Sequence, residues 1–204
     1  MNAYEMDPTE LENEPDLDAV FGEFPNLQTP NLYLRELTED DAADLLAVFA
    51  DEEVTRFYDL YAYASEDEAL ELIDFFTESF EVERSIRWGI ARKTDDRIIG
   101  TCGYVWLRRF RGEIGYELHR ALWRQGIMKE ALAAIIQFGF ELLRLNRIEA
   151  LVMVENTASA ALLRSLGFQE EGVLREHDYF KGQFHDMRCF ALLQRDWQAR
   201  QSQT

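Results

Sequence analysis

Two glutamates, Glu113 and Glu117, lie in the stretch Glu-Ile-Gly-Tyr-Glu-Leu, where Ile114, Tyr116 and Leu118 alternate with Glu113, Gly115 and Glu117. The alternation reads as a half-buried strand with both carboxylates on its polar face. A carboxylate in a closing cleft can have its pKa raised until it serves as a general base near neutrality; the bland alternative is an ordinary exposed strand acid. Just beyond comes Arg124-Gln125-Gly126-Ile127-Met128, followed by apolar residues at Ile127, Ala131, Leu132, Ile135, Ile136, Gly139, Leu142 and Leu143. That second spacing is a helix face. A glycine where a strand turns into a helix lets backbone N–H groups approach an anion, and the N–H groups and dipole of the helix start favour negative charge. The stretch is therefore built like a phosphate or pyrophosphate cradle, although a strand-to-helix glycine also occurs with nothing bound. His119, His177 and His185 are far apart and show no metal spacing, and neither a Gly-Lys-Ser phosphate loop nor a serine nucleophile elbow is present.

The elements that must position these groups can be read along the chain. Residues 32–37 alternate as a first strand. Thr38-Glu-Asp-Asp41 is a capping box that opens a helix through Leu45, Leu46 and Phe49, and Ser65-Glu-Asp-Glu68 opens a second, with Leu70, Ile73, Phe76 and Phe80 on one side. Between them Phe57, Tyr58, Tyr61 and Tyr63 form an aromatic segment, which packing alone accounts for. Residues 86–92 and 98–106 read as two strands joined at Thr94-Asp95-Asp96. Arg108, Arg109 and Arg111 make a basic patch before the fourth strand, a solvated loop or a contact for phosphates. Residues 147–154 read as a fifth strand, buried on both faces. Asn156 or Thr157 caps a short helix that Gly167 ends, and residues 168–174 and 184–193 read as two last strands joined through Lys181-Gly182. His177 and Asp178 fall in the connection between them.

Length and charge bound the rest. The 204 residues, 47% hydrophobic and 13% aromatic, suit one globular domain with a full core. The net charge of −18 argues against nucleic acid as a partner. Part of it is local: residues 1–30 hold eight acids, no lysine or arginine, and every proline of the chain. We read them as an extended or mobile acidic arm, with a helical turn near residues 17–21 and with Leu17, Val20, Phe21 and Phe24 able to pin its end. An acidic body could attract a basic substrate, and acids also simply aid solubility. No apolar run approaches the roughly 18 residues of a membrane span, the N-terminus lacks signal-peptide order, and Cys102 and Cys189 sit in separate strands. A cytoplasmic, disulfide-free protein without a membrane partner is expected.

Trp123 to Met128 resembles the acetyl-CoA signature of the GNAT N-acetyltransferase superfamily, in the variant of the RimJ/RimL-type branch, the ribosomal-protein N-acetyltransferases and their relatives. The general pattern has Gln or Arg first and Gly or Ala last; Trp123 and Met128 depart from it. Glu155-Asn-Thr-Ala-Ser159 with Leu166-Gly-Phe168 resembles that branch's Asn-x-x-Ser … Gly-Phe segment, and Glu171-Gly-Val-Leu-Arg175 with Lys181-Gly-Gln-Phe-His-Asp186 resembles its last hairpin. The resemblance covers residues 32–193.

It implies an α/β GNAT fold, a mixed, mostly antiparallel sheet of about seven strands flanked by helices and splayed between strands four and five. The domain expected is 31–197, after the arm 1–30 and before a tail 198–204. The implied reaction is direct transfer of acetyl from acetyl-CoA to a primary amine, a protein N-terminal α-amine first (a basic N-terminus suits the acidic body), with a polyamine or other small amine as alternative. A non-catalytic acyl-CoA-binding module on the same fold is a second class, and relatives suggest a homodimer. Such a transfer needs a neutral amine, hence a base, a polarised thioester carbonyl, and in some enzymes a proton for the leaving thiolate. The implied coenzyme contacts are Leu118, Trp123, Arg124, Gln125, Gly126, Ile127, Met128, Asn156 and Ser159, with N–H groups of the strand 114–118 on the carbonyl. The implied catalytic candidates are Glu113, Glu117 and Asp178 as base and Ser159 near the coenzyme sulfur. Other branches use a tyrosine on that helix; the corresponding residue here is Leu163, which cannot donate a proton. Helix capping alone also accounts for Asn156 and Ser159.

Overall fold

The structure is a computed structural model that describes residues 20–202. Eight strands form one sheet in the order β1-β2-β3-β4-β5-β6-β8-β7, with β1 Leu27–Gln28, β2 Leu32–Arg35, β3 Ile86–Arg92, β4 Ile98–Arg108, β5 Arg111–Leu118, β6 Arg147–Met153, β7 Gln169–Phe180 and β8 Gln183–Leu193. Every neighbouring pair is antiparallel except β5 and β6. That parallel pair holds register only at Arg111↔Arg147, Gly112↔Ile148 and Glu113↔Glu149. Beyond Glu113 the two strands part, which is the splay expected between the fourth and fifth strands. The eighth strand is the short β1, which lies in what the sequence reading gave to the arm.

The helices are α1 Ala42–Phe49, α2 Glu52–Thr55, α3 Glu66–Glu81, α4 Ile127–Glu141, α5 Thr157–Leu166 and α6 Gln194–Gln201. Both capping boxes form: Thr38 with Asp41 ahead of α1, and Ser65 with Glu68 ahead of α3. The helix expected from residue 38 through Phe49 forms as a 3-10 turn at Glu39–Asp41 running into α1, and the short α2 that follows starts where Asp51 caps it by accepting from the Glu53 N–H at 2.9 Å.

One face of the sheet carries Trp88, Tyr104, Ile114 and Phe190 against α4, whose Met128, Ala131, Leu132, Ile135, Ile136, Phe138 and Phe140 are buried. Each fully buried aliphatic side chain here contributes about 1.5–3 kcal/mol. Close approach is enforced at Gly139: a Cβ there would lie 1.8 Å from the Tyr104 hydroxyl, which donates to the Ile135 carbonyl at 2.8 Å. α1 and α3 cover the other face around Leu37, Leu45, Phe49 and Ile73.

The end of the expected arm is part of the body. Val20 is buried, Phe21 and Phe24 pack on Phe80 with ring centroids 5.2 and 5.0 Å away, and the Trp88 indole donates to the Pro25 carbonyl at 2.6 Å. Val20, Phe21 and Phe24 thus pin the end of the arm to the body, as expected, and Leu17 lies outside the described residues. Residues 1–19, and most of the helical turn expected near 17–21, lie outside the described residues. Likewise residues 198–201, expected in the tail, continue α6, where Trp197 packs on Phe140 at 5.3 Å.

The final hairpin is longer than expected. β7 runs to Phe180, and Lys181 and Gly182, with φ of 50° and 81°, form the two-residue turn. A bulge sets residues 175–177 opposite Asp186 alone, with Glu176 at φ 51° donating its N–H to the Asp186 carboxylate at 2.8 Å. His177 and Asp178 therefore sit on a strand rather than in a loop.

Candidate active site

The gap between β5 and β6 is bounded by strand backbone on one side and by the start of α5 on the other. The His119 N–H donates to the Ile99 carbonyl at 2.8 Å, so alternation along the antiparallel ladder turns Glu117 and Gly115 toward β4. Tyr116 and Leu118 consequently aim their backbone groups into the gap. Two side chains meet their carbonyls there: Tyr58 donates its hydroxyl to the Tyr116 oxygen at 2.7 Å and Trp123 its indole N–H to the Leu118 oxygen at 2.8 Å. The N–H groups of Tyr116 and Leu118 remain directed at whatever enters, the geometry of a site for negative charge developing on a carbonyl oxygen.

The cradle follows. Arg124 and Gly126 have φ of 62° and 82°, so the chain turns twice through the left-handed region before α4, presenting successive N–H groups at a helix start. A Cβ on Gly126 would meet nothing within 4 Å, so the concavity is open. Gln125 folds its amide back to donate to the Ala121 carbonyl at 3.0 Å, and His119 Nδ1 accepts from the Ala121 N–H at 3.2 Å, which holds the loop. Ile127 is partly buried and Met128 buried beneath the helix start. A doubly charged pyrophosphate with an apolar arm suits this set: N–H donors at one end, a slot between strands at the other.

On the α5 side, Asn156 caps the helix by accepting from the Ser159 N–H at 3.1 Å, and Gly167 ends it at φ 101°, as expected. Leu163 is fully buried. Ser159 reaches across the gap to Tyr116, with 2.7 Å between the two hydroxyl oxygens. Burial pushes the Tyr116 phenol up to about 12. The sequence reading took Tyr116 as part of the apolar face and missed this contact; the available signal was that a buried tyrosine hydroxyl requires a partner.

The three carboxylates separate. Glu117 is buried and accepts from Arg87 and from the Thr101 hydroxyl, with the Arg87 Nε also donating to Thr101 at 2.9 Å. Tyr58 and Tyr63 stand beside it; burial first, then the charge of Glu117, pushes the Tyr63 phenol up to about 12. Glu117 is thus the anion of an internal ion pair, not the exposed strand acid of the alternative reading. Glu113 lies where the strands part. Its carboxylate accepts from the Trp106 indole at 3.1 Å, and its pKa is raised, by burial first, with Glu149 and Asp178 adding to the rise and the indole and His177 opposing it. Asp178 is 2.8 Å from His177 Nδ1 and half exposed, close enough for its charge to be felt at Glu113. Arg111, from the basic patch, pairs with Glu149 at 2.7 Å.

The aromatic segment borders the same region. Tyr63 stacks on Phe49 at 5.2 Å, and the hairpin turn comes down on it, Lys181 donating to the Thr55 carbonyl at 2.8 Å and lying 5.6 Å from the Tyr61 ring. Tyr61 is 72% exposed. Tyr58, β5 and the hairpin turn are thus neighbours through these contacts.

Comparison with known proteins identifies the family and the fold. The acetyltransferase (GNAT) domain model matches residues 31–169. The N-acetyltransferase YoaA of Bacillus subtilis (strain 168) is 40% identical over 172 residues, 83% of this chain and 97% of that one. The [ribosomal protein uS5]-alanine N-acetyltransferase of Escherichia coli (strain K12) is 34% identical over 84 residues, 41% and 43% of the two chains. The structure of RimL, a ribosomal L7/L12 alpha-N-protein acetyltransferase in complex with coenzyme A, superposes with a TM-score of 0.74 at 20% identity, over 83% of this chain and 98% of that one, a likeness of fold. Members of this family take the acetyl group from acetyl-CoA, and the open cradle at Gly126 and the donor-lined gap fit that molecule. The chain belongs to the GNAT family and is an N-acetyltransferase.

Proposed function

We propose that the acceptor is the α-amine of a protein N-terminus, acetylated directly in the cleft between Tyr58, β5 and the β7–β8 hairpin. The observation that carries the acceptor site is Glu113: a partly buried carboxylate with a raised pKa at the point where β5 and β6 part. Its carboxylate accepts from the Trp106 indole, whereas Glu117 is occupied by Arg87 and Asp178 lies beside His177 at the surface. Glu113 takes the amine proton, directly or through water, and Asp178 with His177 tunes it. The bound thioester supplies an activated acetyl group. The Tyr116 and Leu118 N–H groups receive its carbonyl and the adjoining amide, the Arg124–Met128 turn holds the pyrophosphate through backbone N–H groups, and Ser159 faces the sulfur. The likeness to enzymes named for ribosomal-protein alanine and L7/L12 α-amines supports an N-terminal acceptor, and such an acceptor is met in the cytoplasm.

The test is an acceptor panel. Peptides with free N-termini starting in alanine or serine, the same peptides blocked at the N-terminus, and spermidine are each incubated with acetyl-CoA, and free thiol is followed. Acetylation of the free peptides alone supports the reading. Turnover on spermidine alone moves the acceptor to a small amine, and acetyl-CoA binding with no turnover on any amine sinks the α-amine assignment.

A further inference from the structure

Tyr116 belongs to β5 and Ser159 to the first turn of α5, on opposite walls of the gap, and they meet through their hydroxyls at 2.7 Å. We propose that Tyr116 is a positioning residue for Ser159: by donating its phenol hydrogen to Ser159 Oγ, it turns the serine hydroxyl hydrogen toward the leaving sulfur and strengthens that hydrogen bond. The proposal rests on the reading of Ser159 as the residue that faces the sulfur.

Three observations carry it. A phenol is a far better hydrogen donor than an aliphatic alcohol, and a serine oxygen that accepts from Tyr116 keeps its own hydrogen for another partner. Burial holds the Tyr116 phenol near 12, so it stays protonated, and a donor, through the neutral range. The Tyr116 backbone is held by its carbonyl accepting from Tyr58 at 2.7 Å, and the Ser159 backbone is held by the Asn156 cap at 3.1 Å. Both hydroxyls are therefore held at their roots, and the hydrogen-bond chain Tyr116 to Ser159 to sulfur runs in one direction, each bond polarising the next. Ser159 also lies in the first turn of the ten-residue α5, where the N-terminal dipole favours a thiolate. No proton need cross: a phenol near 12 is a weaker acid than a thiol, so the pair stabilises the departing thiolate, which takes its proton from solvent after release.

The same contact could act only as a staple between the walls, and the test separates the two. The probe is coenzyme A itself, bound to the full-length protein, with its thiol titrated by ultraviolet absorbance in the wild type, Tyr116→Phe, Ser159→Ala and the double variant. The expected result is a thiolate fraction at neutral pH that falls by about threefold or more in Tyr116→Phe, half a pKa unit, with coenzyme affinity within about twofold of wild type. The double variant titrates as Ser159→Ala does, because Tyr116 acts only through the serine. In turnover, Tyr116→Phe lowers kcat by about tenfold with KM for acetyl-CoA little changed. An unaltered thiol titration in Tyr116→Phe, or losses that add in the double variant, overturns the proposal while leaving the Ser159 reading standing. An unaltered titration in Ser159→Ala overturns both. The expected titrations in a protein that acetylates no α-amine would leave this inference intact and remove the acceptor assignment instead.

Discussion

Glu113 shows how an ordinary strand acid becomes a candidate base. Burial at the parting of β5 and β6 holds its carboxyl above the usual 4.5, and the indole of Trp106 keeps it in place. The folded chain binds that proton more tightly than the unfolded chain. Glu113 therefore favours folding at low pH and weakens it as pH rises through the elevated value. Glu113→Gln keeps the Trp106 hydrogen bond and removes the buried charge. It is expected to melt at a higher temperature than wild type at neutral pH while kcat/KM falls by about a hundredfold or more, read by calorimetry and steady-state kinetics. Glu117 gives the opposite outcome. Removing its guanidinium by Arg87→Met strands a buried carboxylate and costs about 3–5 kcal/mol, whereas Arg87→Met with Glu117→Leu restores most of it; urea unfolding of the three proteins checks this. The two glutamates look alike in the sequence, four positions apart on one strand face. What divides them is Arg87, thirty positions away in the chain, which only pairing of β3, β4 and β5 brings beside Glu117.

At the scale of elements, the strand-turn-helix unit from β5 to α4 was legible because each of its signals is local. Alternation, the glycine and the apolar helix stripe all act within a few residues, and the structure keeps each of them. Gly126 is the position where this can be tested with least damage to the fold. At φ 82° any L residue is strained by about 1–2 kcal/mol, but its side chain meets no neighbour. Gly126→Val is expected to lower the melting temperature by about 2–8 °C and coenzyme affinity by tenfold or more, since the new side chain would cover the N–H groups proposed to hold the pyrophosphate. Calorimetry with coenzyme A reads both. The β7–β8 hairpin was less legible: its bulge at residues 175–177 conceals the alternation beyond Leu174, so the strand seemed to stop where it only changes register.

Across the whole molecule, the sheet is completed from the N-terminal side. Phe21 and Phe24 cover Phe80 and Trp88, and Pro25 receives the Trp88 indole. Phe24→Ala, at a half-buried site, is expected to cost about 2 kcal/mol and lower the melting temperature by about 4–8 °C without altering KM for acetyl-CoA, as fluorescence melting and kinetics would show. A loss of coenzyme binding in parallel would mean that this segment reaches the site. Charge counts describe an average over residues 1–30, while the two phenylalanines that the sequence reading singled out mark where the chain is held.

The sequence by itself determined the strand-turn-helix unit and the capped helices, because periodicity, capping and glycine turns are short-range effects written in consecutive residues, while the splayed strand pair and the family followed from the resemblance of three motifs in order. Tertiary structure alone decided which glutamate pairs with Arg87, that Tyr116 meets Ser159 across the gap, that Tyr58 and Trp123 hold the carbonyls of β5, and that the Trp88 indole reaches the Pro25 carbonyl. Each of those depends on the distance between residues remote in the chain, and burial and hydrogen bonding act through that distance.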